Sequence, residues 1–263
     1  MKKYLYLVVT ALVGCGVLLS SCSDDKIEGD SIFSTAPVHR NPFDQWLYKN
    51  YTMPYNIEFQ YRLKTEETDQ AYNFVPADSA KSVKLAILTK YMWFDAYAET
   101  VGLDFVKENS PRIIVVTGTP GYTRYRTEVI GSAEGGYKVR LGKDNALTDD
   151  QLKDYGSMTN YYFHTMHHEF MHILNQKKPY DESYDNISRS DYVSGNWTSI
   201  PDKKAQSMGF VSAYSMENPA EDIAELYSIY VTSTPQDWAT IMRNAGNKGG
   251  SIINRKLKMI REY

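Results

Sequence analysis

Hydrophobic and polar positions change their spacing several times along this chain, and each change marks an element. An apolar run from Tyr4 to Leu19 follows Lys2 and Lys3 and stops at Ser20 and Ser21. That run is short for a membrane-spanning helix and polar residues follow it at once, so residues 1–21 read as a signal peptide. Residues 22–36 are polar and charged, which suits a flexible tether, and folding is expected to begin near Pro37. Asp78 or Ser79 can cap a helix to about Thr100, with Val83, Ile87, Tyr91 and Phe94 spaced for one apolar face. The β-branched run Arg112 to Thr117, ended by Gly118, predicts a buried strand. Residues 124–130 and 137–141 predict further strands joined by a turn around Gly135 and Gly136. Helices are expected over 161–176, 219–231, 235–244 and 251–262, and 177–200 is polar and unpatterned, as in a long loop beside a functional site.

Composition narrows this picture. The chain has 263 residues, enough for one sizeable core rather than two, so 37–263 is expected to form one catalytic domain. A formal charge of −3 without a basic stripe gives no sign of a nucleic-acid footprint, so no nucleic-acid partner is expected. The two cysteines are Cys15, inside the predicted signal, and Cys22, so the mature chain can form no internal disulfide. Any metal must be held by histidine and carboxylate. The string Leu19-Ser20-Ser21-Cys22 resembles the lipobox of bacterial lipoproteins, which implies that Cys22 is acylated and becomes the mature N-terminus anchored in a membrane. Ser23-Asp24-Asp25 resembles the acidic tract of surface-exposed lipoproteins of Bacteroidetes, implying an outer-membrane, cell-surface location.

The chemistry concentrates in His168-Glu169-Phe170-Met171-His172, an HExxH string. Residues four apart share a helix face, so His168 and His172 can offer imidazoles to one Zn2+ ion. Glu169 is displaced by about 100° and can take a proton from metal-bound water without being a ligand. Phe163, Met166, Phe170, Ile173 and Leu174 fall about 140–240° from His168, so the core face lies opposite the zinc face. His164 shares the zinc face one turn back, and His167 reads as a packed or capping histidine.

A third ligand must come from elsewhere. A metzincin would place glycine and histidine where Asn175 and Lys178 stand, and the order of the motif excludes the inverted HxxEH type. A glutamate from the later helix remains. Glu221 and Glu225 share a face there, beside the small residues Ala224 and Ser228, while Ile223, Leu226, Tyr227 and Tyr230 form a core stripe. The same segment also reads as a capping box, with Asn218 as N-cap, Pro219 as first helical residue and Glu221 returning a hydrogen bond.

His167-His168-Glu169-Phe170-Met171-His172, then Tyr214, then Asn218-Pro219-Ala220-Glu221-Asp222-Ile223-Ala224-Glu225 resembles the zinc site of anthrax-lethal-factor-like gluzincins. It resembles still more the zinc-binding metallopeptidase lipoproteins of Bacteroidetes. That resemblance implies Glu221 as third zinc ligand, Glu225 as support for a ligand histidine and Tyr214 as hydrogen-bond donor to the developing oxyanion. The expected fold is α+β and zincin-like: a small twisted sheet packed on the HExxH helix, with a helical C-terminal half. The expected reaction is zinc-dependent hydrolysis of a peptide or protein substrate. The competing reading is a zincin-fold surface lipoprotein that has lost catalysis and serves as an accessory in glycan or protein capture. By analogy, glycan-uptake lipoproteins are the expected neighbours.

Overall fold

A four-stranded sheet organises the upstream half of the chain. In this computed structural model, residues 39–67, 73–122, 128–134 and 136–263 are described. The expected signal peptide, Cys22 and the tether lie outside them, as does the first part of the strand expected over 124–130. Arg40–Tyr263 forms one compact unit. In chain order its principal elements are α1 (Pro42–Leu47), β1 (Glu58–Gln60), α2 (Ser79–Thr89), α3 (Ala96–Val101), α4 (Leu103–Asn109) and β2 (Ile113–Val116). The ribbon β3 (Gly121–Tyr122) and β4 (Glu128–Val129) follows, then β5 (Gly131–Glu134), β6 (Lys138–Leu141), α5 (His164–Lys177), α6 (Asp202–Met208), α7 (Pro219–Thr232) and α8 (Pro235–Glu262). Mixed helix and sheet thus give way to an all-helical downstream half.

The sheet order is β1-β2-β6-β5. The first three strands run parallel, with Ile114 opposite Phe59 on one side and Val139 on the other. A parallel strand is covered on both faces, which is why β2 is an unbroken β-branched run with Ile114, Val115 and Val116 fully buried. β5 closes the sheet antiparallel to β6, with Ser132 opposite Arg140. The expected hairpin around Gly136 is therefore present, but its first strand is Gly131–Glu134, not 124–130. β1 and α1 had no periodic signal strong enough to place them.

The helix expected over 78–100 starts as read, with the Asp78 side chain accepting from Lys81 N. Of the four residues expected on its apolar face only Phe94 is buried. Ile87 and Tyr91 are 48% and 67% exposed, whereas Ser82, Leu85, Ala86, Thr89, Trp93 and Phe94 are buried. Two effects hid this stripe. Ser82 and Thr89 place small polar residues on it, Ser82 donating to Asp144 at 3.1 Å, and a π-helical turn over Lys90–Asp95 rotates the register beyond Thr89. A second π-turn, Thr159–Phe163, leads into α5. The two expected terminal helices are the arms of α8, bent at Gly246, whose φ of 62° and ψ of −167° suit glycine.

Residues 177–200 contain 3₁₀ turns at Glu182–Tyr184, Arg189–Asp191 and Ser194–Ser199. Buried Tyr184, and Val193 N donating to Met216 O at 2.8 Å, tie the stretch to the core. Among the described residues no helix is long and apolar enough to cross a membrane.

Gly131 sets how closely the sheet edge meets α5. A Cβ built there would fall 2.0 Å from Thr165 Cγ2. Gly131→Ala should therefore cost roughly 1–3 kcal/mol through overpacking. Adding Thr165→Ser, which deletes the opposing methyl, should recover most of the loss. Thermal melts of the single and double variants check this; additive effects would separate the two sites.

Candidate metal centre

The site is built by two helices meeting face to face. α5 buries Met166, Phe170 and Ile173 in the main core, where Phe170 meets Trp93 edge-on at 5.8 Å between ring centroids. Its opposite face carries His168, Glu169 and His172. α7 packs closely against α5, and its small residues Ala224 and Ser228 are fully buried. On α7, Glu221 and Glu225 then reach the histidines at successive turns.

Three ligand atoms converge. His168 Nε2 lies 3.0 Å from Glu221 Oε2 and 3.0 Å from His172 Nε2. His172 Nε2 is 3.4 Å from Glu221 Oε2. Tetrahedral zinc with nitrogen and oxygen ligands at about 2.0–2.2 Å separates those ligands by about 3.3–3.5 Å, so this donor set could hold such an ion with little adjustment. Glu221 makes no return bond to the Asn218 backbone among the described residues. Asn218 still caps the helix, its Oδ1 accepting from Ala220 N and Glu221 N. The capping-box reading holds only in part: Asn218 caps, but Glu221 turns toward the histidines and does not complete the box.

Glu225 stands behind the ligands. Its Oε1 is 2.9 Å from His168 Nδ1, and its Oε2 accepts from Ser212 Oγ at 2.7 Å. His164 Nε2 is 2.8 Å from the same Oε1 but is not aligned for a hydrogen bond. Burial favours the neutral form of Glu225, yet His164 and His168 hold its carboxyl well below the usual range. Burial likewise opposes a charge on His168, but Glu221 and Glu225 push it up to about 10. Glu221 is lowered against its own burial by His168 and His172. Both carboxylates are thus held ionised, and they favour a positive charge where these atoms meet.

Tyr214 stacks on His168 with ring centroids 5.9 Å apart and is itself braced edge-on by Trp197 at 5.0 Å. Burial first, and then the Glu221 carboxylate, raise its phenol far above the ordinary value, so it stays protonated. Glu169 is half-buried and lines a cleft of about 430 Å³ with His168, His172, Gln176, Tyr214 and Asn218. Gly131 and Ser132 of β5 form another wall of it.

His167 lies outside the cluster. It is buried, sits 2.9 Å from Tyr97 Oη, and is lowered to about 4 by burial and then by His164. Sequence reading missed Ser212, Trp197 and Lys256. Lys256 is 1% exposed, and its Nζ lies 2.7 Å from Asp222 Oδ2, next in sequence to Glu221. It also donates to Gly209 O at 3.0 Å, and Tyr192 Oη donates to Asp222 at 2.9 Å. The signal was present, since Ile253, Leu257 and Ile260 mark the core stripe of α8 and Lys256 falls on it. Ser212 and Trp197 sit in irregular backbone, where spacing carries no such information.

The family model described as "Putative zinc-binding metallo-peptidase" matches residues 36–263. The chain belongs to that family of zinc-binding metallopeptidases. A solved structure from Bacteroides caccae with the same description is 40% identical, with 89% of this chain and 88% of that one covered at a TM-score of 0.73. No curated protein matches the chain. Zinc is thus the metal that this metallopeptidase's histidine and glutamate cluster is expected to take.

The two glutamates of α7 separate by experiment. Glu221→Gln should weaken zinc affinity strongly with little loss of fold, because it removes a ligand charge. Glu225→Gln should weaken it by roughly 10–100-fold, as loss of a partner behind a ligand does. Zinc titrations of both variants check this; full zinc in the Glu221 variant beside an empty Glu225 variant would move the third ligand to Glu225.

Proposed function

We propose that this metallopeptidase is a gluzincin-type, zincin-fold peptidase that hydrolyses peptide bonds at the α5–α7 junction. The observation that carries the reading is the convergence of His168, His172 and Glu221 on one point, with Glu169 and Tyr214 bordering the same cleft. His168, His172 and Glu221 would hold the metal. Zinc bound there lowers the pKa of its water to about 7 and polarises a carbonyl. Glu169 takes a proton from the attacking water and delivers it to the departing amine nitrogen as the C–N bond breaks. Tyr214, kept protonated, donates to the carbonyl oxygen as charge develops on it. Glu225 accepts from His168 Nδ1, which leaves Nε2 free to face the ion.

The sheet edge supplies a way to hold the substrate. Among the described residues β5 pairs only with β6, leaving one edge free there, and Gly131 and Ser132 border the cleft. An extended peptide can pair with that free edge and so lie across the catalytic groups.

Glu169→Gln should keep zinc at wild-type stoichiometry while turnover of a peptide mixture falls by several powers of ten. Tyr214→Phe should also keep zinc and lose about 10²-fold in kcat. Metal analysis beside mass-spectrometric cleavage assays checks both. A zinc-loaded wild type that cleaves nothing would instead favour an accessory binding role.

The same proposal places the domain outside the cell, tethered through a lipidated Cys22. The support is the lipobox-like string ahead of a polar tether. Cys22→Ser should abolish incorporation of labelled fatty acid and release the protein from membranes; unchanged retention would defeat the anchor.

A further inference from the structure

The cleft has a donor that ligation and proton transfer leave unused. Asn218 lines it beside Glu169, Tyr214 and Glu221. Two backbone N–H groups, of Ala220 at 2.9 Å and Glu221 at 3.1 Å, point at one side-chain atom of Asn218, and that atom must be the acceptor Oδ1. The orientation of the amide follows, and Nδ2 becomes the free end. Among the described residues Nδ2 has no hydrogen-bond partner, and it is not a sealed buried atom. A side chain that would otherwise rotate is thus held by the helix start with its donor outside the cap, one turn before Glu221.

The lining decides what such a donor meets. It contains no lysine or arginine, and Glu169 and Glu221 both carry carboxylates. With no lysine or arginine beside it Nδ2 is a neutral donor, and a main-chain carbonyl needs only such a fixed N–H. A peptide lying along β5 and across the metal presents main-chain carbonyls at every residue.

We propose that Asn218 is a substrate-binding residue whose side-chain amide donates to a main-chain carbonyl of the bound peptide while its oxygen caps α7. This rests on the peptidase reading above. The contact recognises backbone and not side chain, so it contributes to every cleavage in equal measure.

Asn218→Ser and Asn218→Asp test it, because both keep an N-cap acceptor and lose the amide donor. With a tryptic digest of casein as the probe, each variant should keep wild-type zinc content and melting temperature. Each should lose roughly 10–100-fold in kcat/KM for every cleaved peptide alike. In the Glu169→Gln background, calorimetry with the best-cleaved of those peptides should show about tenfold weaker binding for Asn218→Ser. Wild-type kcat/KM in both variants would overturn the proposal. So would a loss confined to peptides sharing one side chain, since that marks side-chain recognition. Zinc-loaded wild type that cleaves none of the casein peptides would overturn the peptidase reading, and this assignment with it.

Discussion

The hydrogen bond between Glu225 and His168 is the contact on which the rest of the site depends. Glu225 is ionised and can only accept, so His168 must carry a proton on Nδ1, and Nε2 is the nitrogen that faces Glu221 and His172. Ring orientation, tautomer and ligand direction follow from that one bond. It also ties the two helices together, because Glu225 lies one turn beyond Glu221 on α7 and His168 belongs to α5. The carboxylate is buried at 3% exposure, so its charge must be answered locally, and His168, Ser212 and the nearby His164 do so.

The same demand recurs along α7. Glu221, Asp222 and Glu225 put three carboxylates on one short stretch of helix, and each finds a different answer. Glu221 and Asp222 stand in the first turn, where the helix dipole favours negative charge. Glu221 turns to the histidines. Asp222, buried and raised to about 6 by desolvation against the pull of Lys256, pairs with that lysine from α8 and takes a bond from Tyr192. Pairing two buried charges adds little net stability, but removing one partner leaves the other stranded. The terminal helix and the 177–200 stretch are therefore coupled to the helix that carries Glu221.

What the sequence showed follows from where the information is local. HExxH is read within one helix, and the apolar stripe of Met166, Phe170 and Ile173 opposite it is buried as its period requires. The helix start at Asn218 and Pro219 was equally plain. The face of α2 was misread because Ser82 and Thr89 stand on the buried stripe and a π-turn breaks the 3.6-residue period; neither is visible to a count of apolar residues. The parallel pairing of β1 with β2 joins residues far apart in the chain and leaves no periodic mark. Ser212 and Trp197 act through tertiary contacts made by irregular backbone, so no spacing could identify them. Membership of the zinc-binding metallopeptidase family rests on the whole span 36–263, whereas individual roles rest on geometry.

A capping box at the α7 N-terminus would use the glutamate that a metal would need, and no such box forms. Asn218 alone satisfies the first two exposed N–H groups of the helix, so no return bond from Glu221 is required. Pro219 has no N–H to satisfy and already has the φ of a first helical residue. A helix start that needs only one side chain frees the next carboxylate for chemistry while keeping it rigid. An uncapped α7 would fray at the turn that carries Glu221, and that carboxylate would lose the fixed position from which it meets His168 and His172. The stability of that first turn is thus part of the candidate metal site, although Asn218 makes no hydrogen bond to the side chains of His168, His172 or Glu221.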